Sequence, residues 1–237
     1  MLTFAVWCAL AFVAINCAAI WAILHLKNRG RRSRLDPVLP QAPDLQLDPQ
    51  EVLGREYEYA KTTASEAMAD RHTMVNFYLL LIGVVASGVL ANLDKIDKWQ
   101  GGATFLLWTV CAVGWLYFLI LVRLREAWYD SVKTMLRLRD FCIRHAKDVE
   151  GDILIEAFRW RAETLPAANK AWSVFFYSAL LIGFLDTMAF VTGAHLLASE
   201  LKTVSISSTL AVVALGIGLF AFHISMYFAL LAEPKSK

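Results

Sequence analysis

The run from residue 48 to residue 93 joins a charged segment directly to an apolar one, with no helix-breaking residue at the junction. It opens with Asp48, Pro49 and Glu51, which suit an N-cap, the first helical position and a capping-box carboxylate. A single helix over this run would reach about 67 Å, more than twice the ~30 Å hydrocarbon core of a bilayer. We therefore predict one continuous helix, half in water and half in lipid.

The chain as a whole is too apolar for a soluble domain of its length. Hydrophobic residues make up 58% of its 237 residues, and the mean hydropathy is +0.50. The net charge of +2 is too small to indicate a nucleic-acid partner. The 4 cysteines form no CxxC pair, so we interpret them as small core residues. These features predict an all-α integral membrane protein that is in contact with the lipid bilayer.

Residues 2–26 are apolar and long enough to cross a membrane. A basic cluster follows them, and it includes Arg29, Arg31, Arg32 and Arg34. A cleaved signal peptide carries its basic residues before the apolar stretch, so this order favours a retained anchor (residues 1–26) with its N-terminus outside. A signal peptide is the alternative. Residues 27–48 then form a basic, proline-rich linker in which three prolines have polyproline II spacing.

Two stretches of small residues predict close helix packing. In the charged half of the first long helix, one narrow face carries Leu53, Tyr57, Ala60, Ala64, Ala67 and Arg71. In the following span, residues 74–93, a small-residue face repeats at every fourth position and consists of Gly83, Ser87 and Ala91. We predict that both faces pack against helices, and lining a pore is the alternative for the second.

A short polar segment, residues 94–102, predicts an external turn before a third span over residues 103–122. Arg123 and Arg125 then mark the predicted cytosolic edge, and apolar residues at seven-residue spacing continue to residue 149. Residues 49–149 thus predict a transmembrane hairpin whose two arms extend together into the cytosol as a helical stalk. Whether the two arms pair with each other or bind different chains is left open.

The rest of the chain predicts a cytosolic connection over residues 150–169 and a C-terminal transmembrane hairpin over residues 170–237. The connection contains a helix around Trp160, which suits either lipid headgroups or a cap on the stalk. Lysine and arginine cluster on one side of all the spans. The positive-inside rule therefore gives five transmembrane helices, with the N-terminus outside and the C-terminus in the cytosol.

Asp186 lies near the middle of the fourth span and is the strongest candidate for a functional residue. A carboxylate there costs roughly 2.5–3.5 kcal/mol to insert, so it should face protein, water or a partner. It is either a hydrogen-bonded structural residue or an ion or proton site. His223 lies in the fifth span, about 10 Å deeper toward the cytosol, so a direct pair with Asp186 requires tilt or a water. His25 and His223 at one membrane level would also suit a haem, which gives an alternative interpretation.

The sequence carries no GxSxG, HExxH, Walker A or glycine-rich nucleotide motif, and no pattern typical of strands. We therefore predict that the protein is not an enzyme, and we predict no cofactor and no metal site.

The run YEYAKTTASEAMADRHTMVNFYLLL and the arrangement of residues 51–149 resemble SLATT-type membrane effector modules of bacterial conflict systems. That resemblance implies a bacterial inner-membrane protein that forms or opens pores when a sensor partner signals. The chain departs from the family pattern by adding the first, fourth and fifth spans.

The sequence-based expectation is a non-enzymatic scaffold or accessory subunit of the bacterial inner membrane. Its stalk would bind a partner or itself, and the protein would form a homo-oligomer or join a membrane complex. The two alternatives are a pore-forming or ion-conducting effector and a haem-binding electron-transfer subunit.

Overall fold

The computed structural model describes residues 49–145 and 165–232, and every regular element in these ranges is helical. The four α-helices are α1 (Pro49–Ala91), α2 (Ile96–His145), α3 (Val174–Glu200) and α4 (Ile206–Leu231), and a single 3-10 turn (Leu93–Lys95) joins α1 to α2. The prediction of an all-α protein is therefore confirmed over the described residues.

Each of the four helices is long and apolar enough to cross a membrane. They correspond to the second, third, fourth and fifth predicted spans, which is compatible with a multi-pass membrane protein. The first predicted span (residues 2–26), the linker (residues 27–48) and the helix around Trp160 lie outside the described residues. Side chains on the outside of the apolar segments are themselves apolar, as at Leu80, Phe105 and Ile217, which suits contact with lipid.

Helix α1 runs without interruption through the junction between its charged and apolar halves, and it comprises 43 residues. Helix α2 comprises 50 residues and packs along α1. We call residues 49–73 of α1 and residues 123–145 of α2 the extension, because both continue beyond the predicted spans. Within the extension, Ala60, Ala64 and Ala67 are buried, since the absence of long side chains lets the neighbouring structure approach closely.

The predicted external turn over residues 94–102 is shorter in the structure. Only Leu93–Lys95 forms the turn, and α2 begins at Ile96 with a kink at Trp99, where φ is −139° and ψ is 24°. Gly101 and Gly102 are helical rather than part of a loop. A side chain at Gly101 would meet the Glu200 carboxylate at 3.3 Å, so this glycine lets α2 approach the end of α3 closely.

Helix α2 is the centre of the bundle, because its main contacts are with α1 on one side and α3 on the other. Helix α4 packs mainly on α3. Two serine N-caps fix the starts of the last two helices. The Ser173 hydroxyl accepts from the Phe176 amide at 3.2 Å, and Ser205 forms a capping box with Ser208.

Candidate functional site

Asp186 is fully buried where α1, α2, α3 and α4 meet. The phenol of Tyr78 on α1 donates a short hydrogen bond to Asp186 Oδ1. The other carboxylate oxygen, Oδ2, lies 3.3 Å from His223 Nε2 on α4. We call Tyr78, Asp186 and His223 the buried triad. The sequence-based expectation was that a carboxylate at this depth faces protein, water or a partner, and in the structure Asp186 faces protein.

His223 is held on every side by described side chains and backbone. Its Nδ1 lies 3.0 Å from the Leu219 carbonyl oxygen, one turn earlier in α4. The indole of Trp115 stacks on the imidazole with ring centroids 4.1 Å apart and an interplanar angle of 27°. Phe118 meets the same ring edge-on at 5.2 Å. The imidazole orientation is therefore fixed by packing rather than by solvent.

The direct approach of Asp186 to His223 differs from the sequence-based estimate of a 10 Å offset in depth. The start of α3 lies beside the end of α4, where Ser173 Oγ and Tyr227 Oη are 3.4 Å apart. A Cβ atom on Gly183 of α3 would lie 3.0 Å from His223 Cβ, so these two positions are at one level, and Asp186 is about 4.5 Å further along α3. Side chains lean toward the N-terminus of their own helix. In two antiparallel helices these two side chains lean toward each other, which closes the remaining gap.

Two glycines make room for the triad. A Cβ atom on Gly114 of α2 would overlap Asp186 Oδ1, so a side chain at this position is incompatible with the observed carboxylate. A Cβ atom on Gly183 of α3 would lie 3.0 Å from His223 Cβ. Both glycines are buried. The absence of a side chain at Gly114 therefore makes room for Asp186, and its absence at Gly183 makes room for His223.

The chemistry available at the triad is proton exchange between two buried groups. Asp186 Oδ2 and His223 Nε2 lie 3.3 Å apart, and neither atom has a hydrogen-bond partner among the described residues. Cys111 of α2 is also fully buried and is a free thiol. Among the described residues, no group of three or more His, Cys, Asp or Glu side chains is arranged to hold a metal ion.

Sequence reasoning singled out Asp186 and His223 and missed Tyr78, Trp115 and Gly114. Tyr78 lies 108 positions from Asp186 in the chain. Aromatic residues and glycines are common in apolar spans, and nothing in the local sequence distinguishes these three from their neighbours. The only sequence signal that could have identified Tyr78 was that it places a polar hydroxyl within a predicted span.

A second buried polar cluster lies where the extension begins. Arg71 of α1 and Arg125 of α2 are only 3% and 5% exposed, and both guanidinium groups lie about 5 Å from the Phe175 ring of α3. Arg125 Nε donates to the Ala168 carbonyl at 2.9 Å. Burial lowers the pKa of Arg125. The hydrogen bond that Arg125 donates to the Tyr227 hydroxyl offsets only part of this decrease.

The sequence predicted that Arg125 marks the cytosolic edge of the membrane, and the structure adds that its side chain is buried within the protein. Arg125 fixes the loop before α3, because a cation close to the aromatic faces of Phe175 and Trp128 is stabilised without a carboxylate. Arg123 is exposed and pairs with Glu126 at 3.1 Å. The other predicted edge residues lie outside the described residues: Arg29, Arg31, Arg32 and Arg34. His25, which the haem interpretation requires, lies outside them as well.

The small-residue face of α1 is exposed. Gly83, Ser87 and Ala91 are all open in the structure, and a Cβ atom built on Gly83 would have no neighbour within 4 Å. No described helix of this chain therefore packs against the face, and its role in helix packing stays a prediction.

The far end of the extension contains an open groove of about 960 Å³ between α1 and α2. Among the side chains that the structure describes, Ala60 is the buried residue of α1 nearest to its N-terminus, and Tyr57, one turn earlier, is 44% exposed. Burial on α2 likewise decreases toward Cys142, which is an exposed free thiol. The groove is lined mainly by apolar and aromatic residues with Glu58 and Arg139 among them, and the others are Leu53, Gly54, Tyr57, Val132, Met135, Leu136, Leu138 and Cys142.

Over residues 49–145 and 165–232, the fold and the buried triad define a class, namely an all-α bundle of four apolar helices with a polar centre, compatible with a multi-pass membrane protein. Comparison with protein-family models, with curated proteins and with solved structures finds no match for this chain.

Proposed function

We propose that this chain is a non-enzymatic scaffold or accessory subunit of a bacterial inner membrane, with the extension in the cytosol as a stalk. The observation that carries this proposal is the open apolar groove at the far end of the extension. An exposed apolar surface of this kind on a membrane protein is typical of an interaction site when it lies outside the lipid. A helix laid into such a groove would be held by its apolar face.

The occupant that we favour is the stalk of a second copy of this chain. The groove contains both an acidic residue, Glu58, which pairs with Lys61, and a basic residue, Arg139, which pairs with Asp140. A two-fold axis brings each patch against its own equivalent, so a surface that carries both charge signs can complement itself. The exposed small-residue face on the same helix offers a second contact between copies within the bilayer.

Cys142 provides a direct test, because its exposed thiol lines the groove. The full-length protein, with its three other cysteines changed to alanine, is treated in native membranes with a short bismaleimide. We expect a crosslinked dimer that disappears when Cys142→Ser is introduced. Met135→Glu, which charges the groove, should abolish the crosslink. Thr134→Glu is the matched control, because Thr134 is exposed and does not line the groove.

Two results would contradict self-association through this groove. One is the absence of a dimer in membranes where the protein is folded and abundant. The other is a dimer that Met135→Glu leaves unchanged, since crosslinking would then arise outside the groove. A crosslink only to a different membrane protein would favour the accessory-subunit version over the homo-oligomer.

The pore and haem alternatives have less support in the geometry. Asp186 is enclosed by helices and aromatic rings, and it faces no open path among the described residues. His223 is stacked on Trp115 and is in contact with Phe118, so a porphyrin would have to displace both rings. The resemblance of residues 51–149 to SLATT-type modules remains a hypothesis, and the two long paired helices support it. Leakage of vesicles that contain the purified protein would favour the pore.

A further inference from the structure

The tautomer of His223 follows from its hydrogen bond to the backbone. The Leu219 carbonyl oxygen, 3.0 Å from Nδ1, is an acceptor. The proton of that bond is therefore on Nδ1. In a neutral imidazole the other nitrogen, Nε2, then carries a lone pair. Nε2 is the ring atom that lies 3.3 Å from Asp186 Oδ2.

Both atoms of this contact are buried and have no hydrogen-bond partner among the described residues. A carboxylate oxygen is also an acceptor, so two lone pairs would face each other in a site from which solvent is excluded. Tyr78 cannot relieve this conflict, because its hydroxyl hydrogen is already donated to Oδ1. The contact is favourable only when one additional proton lies between Oδ2 and Nε2.

We propose that Asp186 and His223 form a binding site for one proton, and that its occupancy holds α3 against α4. With one proton, the pair has no net charge, whether the proton resides on the carboxyl or on the imidazole. With none, the pair carries a negative charge, and with two it carries a positive one. Either net charge is costly among the apolar side chains of this bundle.

The groups that face the pair do not supply a compensating charge. Among the described residues they are Tyr78 from α1 and Cys111 from α2, both uncharged when protonated, and each is fully buried. Gly114 and Gly183 admit the pair, and Trp115 stacks on the imidazole. The site is therefore built by all four helices for a single proton, and its ligand is distinct from the protein partner proposed for the stalk.

The test is the stability of the purified full-length protein in detergent, measured across a wide pH range. For the wild type we expect a bell-shaped profile, because both loss of the proton and gain of a second one charge the site. Asp186→Asn places an amide N–H where the proton would lie and keeps an oxygen for Tyr78. We expect this variant to retain the maximal stability of the wild type and to lose the decline in stability at high pH, whereas the decline at low pH remains because His223 can still take up a proton.

Tyr78→Phe is the matched control, because it removes a hydrogen bond from the same carboxylate and leaves the proton site in place. It should lower stability at every pH and keep the bell shape. The proposal is wrong if the wild type and Asp186→Asn have profiles of the same shape.

If Asp186→Asn fails to fold, ¹⁵N-histidine spectra of the wild type decide the question. We expect one imidazole whose Nδ1 stays protonated at every pH, with an Nε2 signal that changes where stability changes. A His223 imidazole protonated only at Nε2, or one that shows no response across the stability profile, would overturn the proposal. A stalk that fails to self-associate would leave both results unaffected.

Discussion

Replacement of Gly114 by alanine tests whether the buried triad depends on the close approach of α2 to α3. A Cβ atom at this position would overlap Asp186 Oδ1 and lie 2.6 Å from Oδ2. The carboxylate must then swing away from α2, and the hydrogen bond from Tyr78 is lost with it. Both consequences occur in the fully buried centre of the bundle.

The expected magnitude follows from these two effects. Overpacking of a well-packed interior typically costs about 1–3 kcal/mol. Loss of a buried hydrogen bond to a charged or polar carboxyl group costs about 1.5–3 kcal/mol more. The Gly→Ala gain in helix propensity, up to about 1 kcal/mol, acts in the opposite direction. A control with the same propensity change removes that contribution from the comparison.

Gly218→Ala is this control, because Gly218 lies in α4 and a Cβ atom there would have no neighbour within 4 Å. We expect Gly114→Ala to be less stable than Gly218→Ala by about 3–5 kcal/mol. Reversible unfolding in mixed detergent micelles measures the difference. A difference below about 1 kcal/mol would show that the carboxylate adapts freely and that the triad is not fixed by packing.

Two further substitutions test the ends of the helices, and the same unfolding measurement applies to both. Ser173→Ala removes the N-cap of α3 and should cost about 1 kcal/mol, whereas Ser178→Ala, one turn further on, should be nearly neutral; equal effects would contradict the capping role. Arg125→Lys cannot reproduce the Nε–H bond to the Ala168 carbonyl and should cost about 1.5–3 kcal/mol, whereas exposed Arg123→Lys should cost little. An Arg125→Lys variant as stable as Arg123→Lys would refute the anchoring of the loop before α3.

Helix bounds were the part of the fold that the sequence predicted best. The run over residues 48–93 is observed as Pro49–Ala91, and the predicted hairpin over residues 170–237 contains the helices Val174–Glu200 and Ile206–Leu231. Apolar length, caps and the absence of helix breakers are local properties, so they can be read without a partner. The polar residues after Lys95 were assigned to a turn, but α2 includes them, because contact with the end of α3 favours the helix there.

The relation between Asp186 and His223 depended on a detail that counting along helices omits. The depth that was estimated by counting residues along each helix placed Asp186 and His223 apart. In antiparallel helices their side chains lean toward each other, which brings the two groups into contact. The burial of Arg125 could not be predicted from the sequence for a related reason. A basic residue after an apolar span normally marks the membrane edge, and only the position of Phe175 and Ala168 shows that this arginine turns inward.

By itself, the sequence determined that the chain is helical, that long apolar segments dominate it, and that one carboxylate lies deep within them. Those conclusions follow from composition and periodicity, which act within a single helix. Only the tertiary structure decided that Tyr78, Asp186 and His223 share one site and that Gly114 admits the carboxylate. These contacts join residues of four different helices, and their existence depends on helix order, rotation and side-chain direction, which no local pattern encodes.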